Sequence, residues 1–100
     1  MMDIKIQALH FDAADKLREF IQKKVTKLEK YSDDILSADI ILKVVKPETS
    51  NNKDASIKLN VKSDELYANK TAESFEEAID LCTEALEKQL IKYKEKVQSK

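Results

Sequence analysis

Residues 55–63 read ASIKLNVKS, and their side chains alternate between apolar and polar from Ile57 onward. The apolar members are Ile57, Leu59 and Val61, and the polar members beside them are Lys58, Asn60 and Lys62. Successive side chains of a β-strand point to opposite faces of its sheet. The stretch therefore predicts a strand with one buried and one solvated face, which indicates a sheet covered by other elements on one side only.

The segments on either side predict three more strands. Downstream, a tight turn at residues 63–64 leads into residues 65–73 (ELYANKTAE), a weaker strand. Upstream, residues 37–46 (SADIILKVVK) form a nearly continuous apolar run, which is typical of a well-buried strand. Residues 2–9 (MDIKIQAL) alternate like residues 55–63. The only proline, Pro47, opens the polar loop PETSNNKD, which is expected to connect the second and third strands.

Two longer segments have apolar residues at helical spacing. In residues 13–31 the apolar positions are Leu17, Phe20, Ile21, Val25 and Leu28. Asp12 is the expected N-cap of this helix, and Asp15, three residues on, approximates a capping box. A second helix is expected to begin at Ser74 or Glu73 and to run to about Val97. Its apolar stripe steps by three or four residues through Phe75, Ile79, Cys82, Leu86, Leu90, Tyr93 and Val97.

The predicted order of elements is β-α-β-β-β-α. Such an order gives an α+β fold in which two roughly parallel helices cover one face of a four-stranded mixed sheet. One hundred residues suit a single domain, residues 1–100. Its ordered core is expected at about residues 2–97.

Composition excludes several classes of protein. The chain has no glycine, so it contains no glycine-rich phosphate loop. Its one cysteine, Cys82, allows no disulfide and no metal-ligand spacing, and its place on the apolar stripe favours a core thiol. Its one histidine, His10, lies at a strand end and is interpreted as a surface or turn residue. We expect no catalytic residues, no metal, no cofactor and no small-molecule substrate.

Charge is distributed unevenly along each predicted helix. The formal net charge is −1, which argues against a uniformly basic nucleic-acid binder. Each helix is nevertheless acidic in its first half and rich in lysine in its second half. A right-handed crossover makes both helices run the same way, so the two basic halves are expected at one edge of the domain. No apolar run has the length of a signal peptide or membrane span, and the expected location is the cytoplasm.

Two interpretations of this basic edge stay open on the residues alone. Acids at helix starts and bases at helix ends complement the helix dipole, each contributing roughly 0.3–1 kcal/mol. On the second helix, however, Lys88, Lys92 and Lys96 follow one another at i, i+4, where like charges repel. Such a run favours a surface for an anionic partner, and lysines suit phosphates rather than base edges. Of the three tyrosines, Tyr67 is the one expected to be exposed.

Three segments carry a resemblance to a known family: KLREFIQKKVTKLEKYSDDI (16–35), ADIILKVVK (38–46) and FEEAIDLCTEALEKQLIKYKEK (75–96). They resemble the ribosome hibernation promoting factors, also called ribosome-associated inhibitors or sigma-54 modulation proteins. The resemblance covers nearly the whole chain and implies a fold like that of a double-stranded-RNA-binding domain. It also implies binding to the small ribosomal subunit, between head and body, where messenger and transfer RNA pass. The resemblance further implies silencing of ribosomes in stationary phase or stress, which favours their storage as inactive dimers.

The resemblance further implies that basic helix residues contact ribosomal RNA phosphates. The positions carried over are Lys24, Lys27, Lys30, Lys88, Lys92, Lys94 and Lys96, of which Lys30 matches a position that is basic in only some members. Ala85 stands where relatives often have lysine, and Ala14 where the family often caps its first helix with threonine.

The resemblance implies a short form, without the additional C-terminal domain through which long members dimerise ribosomes. Whether it pairs ribosomes, needs a separate ribosome-dimerising factor or only inhibits stays open. Two alternatives to ribosome binding also stay open. One is a protein-binding adaptor or transcription modulator whose basic edge meets an acidic partner. The other is a structural subunit that dimerises through a sheet edge or the bare sheet face.

Overall fold

The predicted order of strands and helices is confirmed. The computed structural model describes residues 2–9, 11–45 and 51–98. The elements are β1 (Asp3–Ala8), α1 (Asp15–Thr26), a 3-10 helix (Lys27–Tyr31), β2 (Ile35–Val44), β3 (Lys53–Val61), β4 (Asp64–Ala72) and α2 (Phe75–Gln98). The expectations for His10, for Pro47 and for the side chain of Val97 concern parts of the chain outside this description.

The four strands form one mixed sheet in the order β1-β2-β3-β4. β1 and β2 are parallel, and the other two pairs are antiparallel. The side chains of β3 alternate as predicted, because Ile57, Leu59 and Val61 are buried while the residues between them are partly exposed. One rung of the opposite face runs through Lys5, Asp39, Lys58 and Tyr67. We call this second side of the sheet, away from the helices, the open face.

Both helices contribute to the hydrophobic core on the covered face. Ile21 and Val25 of α1 are fully buried, and Leu28 continues this stripe into the 3-10 helix. From α2, the fully buried residues are Ala78, Ile79, Cys82, Leu86 and Leu90. Burial of a leucine or isoleucine side chain contributes about 1.5–3 kcal/mol. The core therefore fixes α2 along most of its length against β3, β4 and α1.

The two helices begin differently. The Ser74 hydroxyl accepts a hydrogen bond from the Glu77 amide at 3.1 Å, so Ser74 is the N-cap of α2, which begins at Phe75, one residue after the expected start at Ser74 or Glu73. The expectation for Asp12 is wrong, because α1 begins at Asp15 and its N-cap is Ala14, without a side-chain hydrogen bond. Asp12 lies two residues before that cap, and the chain through residues 12–14 is irregular, so its carboxylate does not cap the first turn.

Both helices run from one end of the sheet to the other in the same direction. β4 begins beside the β3–β4 turn and leads up to the start of α2, and α2 returns the chain toward that turn. α1 likewise returns the chain from the end of β1 to the start of its parallel neighbour β2. We call the end of the sheet with Ile35, Val61 and Asp64 the turn end. The C-terminal parts of both helices therefore point toward the turn end.

Candidate nucleic-acid interface

The second half of α2 presents a row of exposed lysines. Lys88, Lys92, Lys94 and Lys96 are all exposed, whereas Leu86, Leu90 and Tyr93 beside them are buried. Lys92 and Lys96 line a shallow groove of about 220 Å³ together with Asp64 of β4 and Gln89. The apolar stripe thus fixes this part of the helix on the sheet and turns its ammonium groups outward.

Tyr93 fastens the second half of α2 to the turn end. Its ring belongs to the core, and only 6% of the residue is exposed. Its hydroxyl lies 3.1 Å from Asp34 Oδ2, just before β2, and 3.1 Å from Ser63 Oγ, in the β3–β4 turn. Because a carboxylate only accepts, Tyr93 donates to Asp34 and Ser63 donates to Tyr93. Three segments distant in sequence are therefore held together beside the lysine row. We call this group the Tyr93 clasp.

Three lysines at the C-terminal part of α1 and the 3-10 helix are exposed. Lys23 and Lys27 border a shallow depression with Glu19, Gln22 and Thr26. Lys30 is exposed as well, and its ammonium lies 5.4 Å from the centroid of the Tyr31 ring. That distance is within the range of a cation–π contact, which orients the side chain without burying its charge. Lys27 and Lys30 are thus placed where an anion could reach them.

Lys24 has a different environment. Its Nζ lies 2.7 Å from Oδ1 of Asp80 in α2, and 32% of its side chain is exposed. The same ammonium is 6.0 Å from the centroid of the Phe20 ring. The structure thus brings Lys24 to the acidic half of α2 rather than to its lysine row. Along the helix axis, residues 88–96 lie about 12–24 Å beyond Asp80.

The expected convergence of the two basic halves is therefore incomplete. α1 has 12 residues and α2 has 24, so α1 ends beside the early turns of its partner. The 3-10 helix and residues 32–34 carry the chain onward to the Tyr93 clasp. The lysines form an elongated band along the helices, and Lys24 lies at its inner edge.

The described residues hold neither a cluster suited to a metal ion nor a reactive thiol. Within residues 2–9, 11–45 and 51–98, no cluster of three or more histidine, cysteine or acidic side chains could hold a metal ion. Cys82 is fully buried, its thiol lies 3.3 Å from the Ala55 carbonyl oxygen, and burial raises its pKa to about 11. A thiol of this kind stays protonated at neutral pH and is a poor nucleophile. No helix in the same ranges is long and apolar enough to cross a membrane.

The tyrosines occupy the places that the sequence predicts. Tyr67 is 55% exposed on the open face, and Tyr93 is buried, while Tyr31 is half-buried against the core. Sequence reasoning missed the Tyr93 clasp. A tyrosine on a buried stripe was its one signal, because a buried hydroxyl needs a hydrogen-bond partner. Nothing in the sequence, however, identified Asp34 or Ser63 as that partner.

Comparison with known proteins connects this geometry to a family. Residues 4–98 match the family described as sigma 54 modulation protein / S30EA ribosomal protein. The chain belongs to this family. Its description names a ribosomal protein and a modulator, and the chain is accordingly a binding protein and not an enzyme.

Two relatives in this family carry the same name. The chain is 35% identical over 95 residues to a ribosome hibernation promoting factor from Azotobacter vinelandii, covering 95% of this chain and 85% of that protein. It is 33% identical over 96 residues to the ribosome hibernation promoting factor of Escherichia coli K12, covering 96% and 97%. A solved structure, a ribosomal subunit interface protein from Coxiella burnetii, has a TM-score of 0.83 at 26% identity and covers 93% of this chain and 98% of its own. These matches confirm the family resemblance and the β-α-β-β-β-α fold.

Proposed function

We propose that this chain is a ribosome hibernation factor that binds the small ribosomal subunit and occludes the path of messenger and transfer RNA. Bound in this way, it favours inactive, stored ribosomes under stress or in stationary phase. The observation that carries the proposal is the exposed lysine row of α2, held on the sheet by the core and the Tyr93 clasp. Residues 1–100 act as one ribosome-binding domain in the cytoplasm, with its core at about residues 2–97.

The contact is made by ammonium groups on RNA phosphates. The proposed contact residues are Lys24, Lys27, Lys30, Lys88, Lys92, Lys94 and Lys96. A lysine offers a point charge, so this surface follows the phosphate backbone and the shape of the RNA rather than its base sequence. Each phosphate contact releases counterions, so binding weakens steeply as salt rises. Lys24 contributes least in this set, because it must leave Asp80 before it meets a phosphate.

Occlusion requires no chemical step. A domain that occupies the path of the RNA ligands silences one ribosome for each bound copy, and it needs neither cofactor nor substrate. The names of the relatives, ribosome hibernation promoting factor and ribosomal subunit interface protein, support this mode of action. Pairing of ribosomes would require either contacts between two bound copies or a separate ribosome-dimerising factor.

Co-sedimentation across a salt series tests the proposal. We expect the chain to pellet with small subunits at 0.05 M salt and to be released in a steep, power-law manner as salt rises. Occupancy of the subunit by messenger and initiator transfer RNA should exclude the chain, and vice versa. Failure to pellet at any salt would contradict ribosome binding and favour the adaptor alternative. Pelleting without mutual exclusion would contradict occlusion while leaving ribosome binding in place.

The same particles report on ribosome pairing. Sucrose-gradient profiles of whole ribosomes mixed with the purified chain should show dimers if the chain pairs ribosomes by itself. A profile of single ribosomes that shifts to dimers only after addition of a cell extract would indicate a separate ribosome-dimerising factor. Inhibition of translation in both cases would identify silencing as the property of the chain itself.

A further inference from the structure

The turn end carries an exposed lysine that lies on neither helix. Lys62 follows the last residue of β3, and 68% of its side chain is exposed. Its backbone amide donates to the Asp34 carbonyl oxygen at 3.2 Å, so the residue is held by its main chain although its side chain reaches into solvent. The position of this ammonium group is therefore set by the fold and not by a free loop.

The Tyr93 clasp ties this turn to the lysine row of α2. Ser63, next to Lys62, lies 3.1 Å from the Tyr93 hydroxyl, and Tyr93 stands between Lys92 and Lys94 in the helix. Asp64, one residue further along the turn, lines the same shallow groove as Lys92 and Lys96. Lys62 thus lies beside the lysine row of α2. An RNA backbone that follows this row also passes the β3–β4 turn.

The ion pair of Lys62 is weak compared with that of Lys24. Lys62 Nζ is 3.9 Å from Asp34 Oδ1, whereas Lys24 Nζ is 2.7 Å from Asp80 Oδ1 and its side chain is less exposed. The other carboxylate oxygen of Asp34 already accepts the Tyr93 hydroxyl. Exposed pairs of this kind contribute little to stability, so the Lys62 ammonium can turn to another anion at small cost.

We propose that Lys62 is a further phosphate-contacting residue, which extends the RNA-binding surface from α2 across the β3–β4 turn. This assignment rests on the proposed function and adds to it a contribution from the sheet. Asp34 and Asp64 also lie at this end, and their charges oppose a phosphate. Lys62 offsets them and gives the RNA backbone a continuous path from Lys88 to the turn.

The test compares the salt dependence of small-subunit binding among matched single variants. For Lys62→Gln we expect affinity to fall about five- to eightfold at 0.1 M salt and the log–log salt slope to become shallower by about 0.7–0.9, the value for one lost phosphate contact. Lys62→Arg keeps the charge and should bind like the wild type. Lys43→Gln removes an exposed lysine from the open face at the other end of the sheet, and it should change neither quantity.

A second variant distinguishes two causes of weaker binding, the loss of a phosphate contact at Lys62 and a disturbance of the β3–β4 turn. Asp34→Asn keeps an oxygen for the Tyr93 hydroxyl but removes the opposing charge, so it should bind at least as tightly as the wild type. If Lys62→Gln matches the wild type in affinity and slope while neutralisation of Lys88 and Lys92 weakens binding, the assignment of Lys62 is wrong and the proposed function stands. If the wild type itself never binds small subunits, the proposed function fails, and this assignment with it.

Discussion

The two halves of α2 share one apolar stripe but have different surroundings. In the first half, Phe75 stacks on Phe11 with ring centroids 5.2 Å apart, Asp80 pairs with Lys24, and Cys82 is fully buried. This half is joined to the rest of the molecule through both its apolar and its charged side chains. Its acids also lie at the positive end of the helix dipole, where they stabilise the helix.

The second half extends past the end of α1 and turns its charged side chains to solvent. The buried stripe, the Tyr93 clasp and a hydrogen bond from Gln89 Nε2 to the Tyr67 carbonyl oxygen of β4 hold it to the sheet. Lysines near the helix ends thus have two different environments in this fold. Lys24 meets a carboxylate of the neighbouring helix, whereas the exposed lysines of the second half lie past the end of α1.

Neutralisation of the second half should produce the largest effect. Lys88→Gln together with Lys92→Gln removes two phosphate contacts, so we expect affinity for small subunits to fall on the order of 30-fold at 0.1 M salt. The free energy of unfolding should stay within about 0.5 kcal/mol, because the change also removes i, i+4 repulsion. Lys16→Gln with Lys43→Gln is the control of equal charge, at two exposed sites away from the row. Equal binding of both double variants would contradict the assignment of the row.

Loss of the Tyr93 hydroxyl tests the connection between the two regions. Tyr93→Phe keeps the buried ring and removes the hydrogen bonds to Asp34 and Ser63, so we expect a loss of about 1–2 kcal/mol in the free energy of unfolding. Urea denaturation followed by circular dichroism measures it. Tyr67→Phe is the control, because its exposed hydroxyl makes one long contact to Ser56 on the open face. If Tyr93→Phe has the same free energy of unfolding as Tyr67→Phe, the hydrogen bonds of the Tyr93 clasp do not stabilise the fold.

The buried thiol of Cys82, in the first half of α2, makes the free energy of unfolding depend on pH. Burial raises the pKa of Cys82 from 9.0 to about 11, so above pH 9 the unfolded chain ionises its thiol before the folded chain does. The wild type should therefore lose stability as pH rises, by about 1 kcal/mol at pH 10, and Cys82→Ala should lack this part. Urea midpoints at pH 8 and pH 10 measure the difference. Binding of Cys82→Ala at pH 7.5 should match the wild type, and parallel pH profiles would contradict the buried, protonated thiol.

The sequence was sufficient for the order of the strands and helices. Alternation in residues 57–61 and the three- and four-residue steps of α2 predict the buried face of each element. The apolar run of β2 has no such period, and the expectation of a well-buried strand is wrong for Ile41 and Val44, which are exposed. The start of α1 was missed, because Ala14 caps the helix without any side-chain signal. The charge pattern of the helices predicted the candidate lysines, and the family resemblance suggested ribosomal RNA as their partner.

The long-range polar contacts could not be predicted from the sequence. Asp34 and Tyr93 are 59 residues apart, and no periodicity connects an aspartate just before β2 with one tyrosine of a buried stripe. The pairing of Lys24 with Asp80 depends on how α1 packs beside α2, and no periodicity within either helix predicts that packing.

Substitution of Lys24 should produce the smallest effect. It tests directly whether this lysine serves the stability of the fold or the binding of the small subunit. Lys24→Gln removes a partly exposed ion pair, so we expect a loss of about 0.5 kcal/mol in the free energy of unfolding and less than a threefold change in small-subunit affinity. Lys27→Gln, one turn further on and exposed, should show the opposite balance, with unchanged stability and a five- to eightfold loss of affinity at 0.1 M salt, roughly the value of one phosphate contact. A double-mutant cycle of Lys24→Gln with Asp80→Asn measures the coupling within the pair. If Lys24→Gln weakens binding as much as Lys27→Gln and shows no coupling to Asp80, the ion pair opens on the ribosome, and the first half of α2 also takes part in binding.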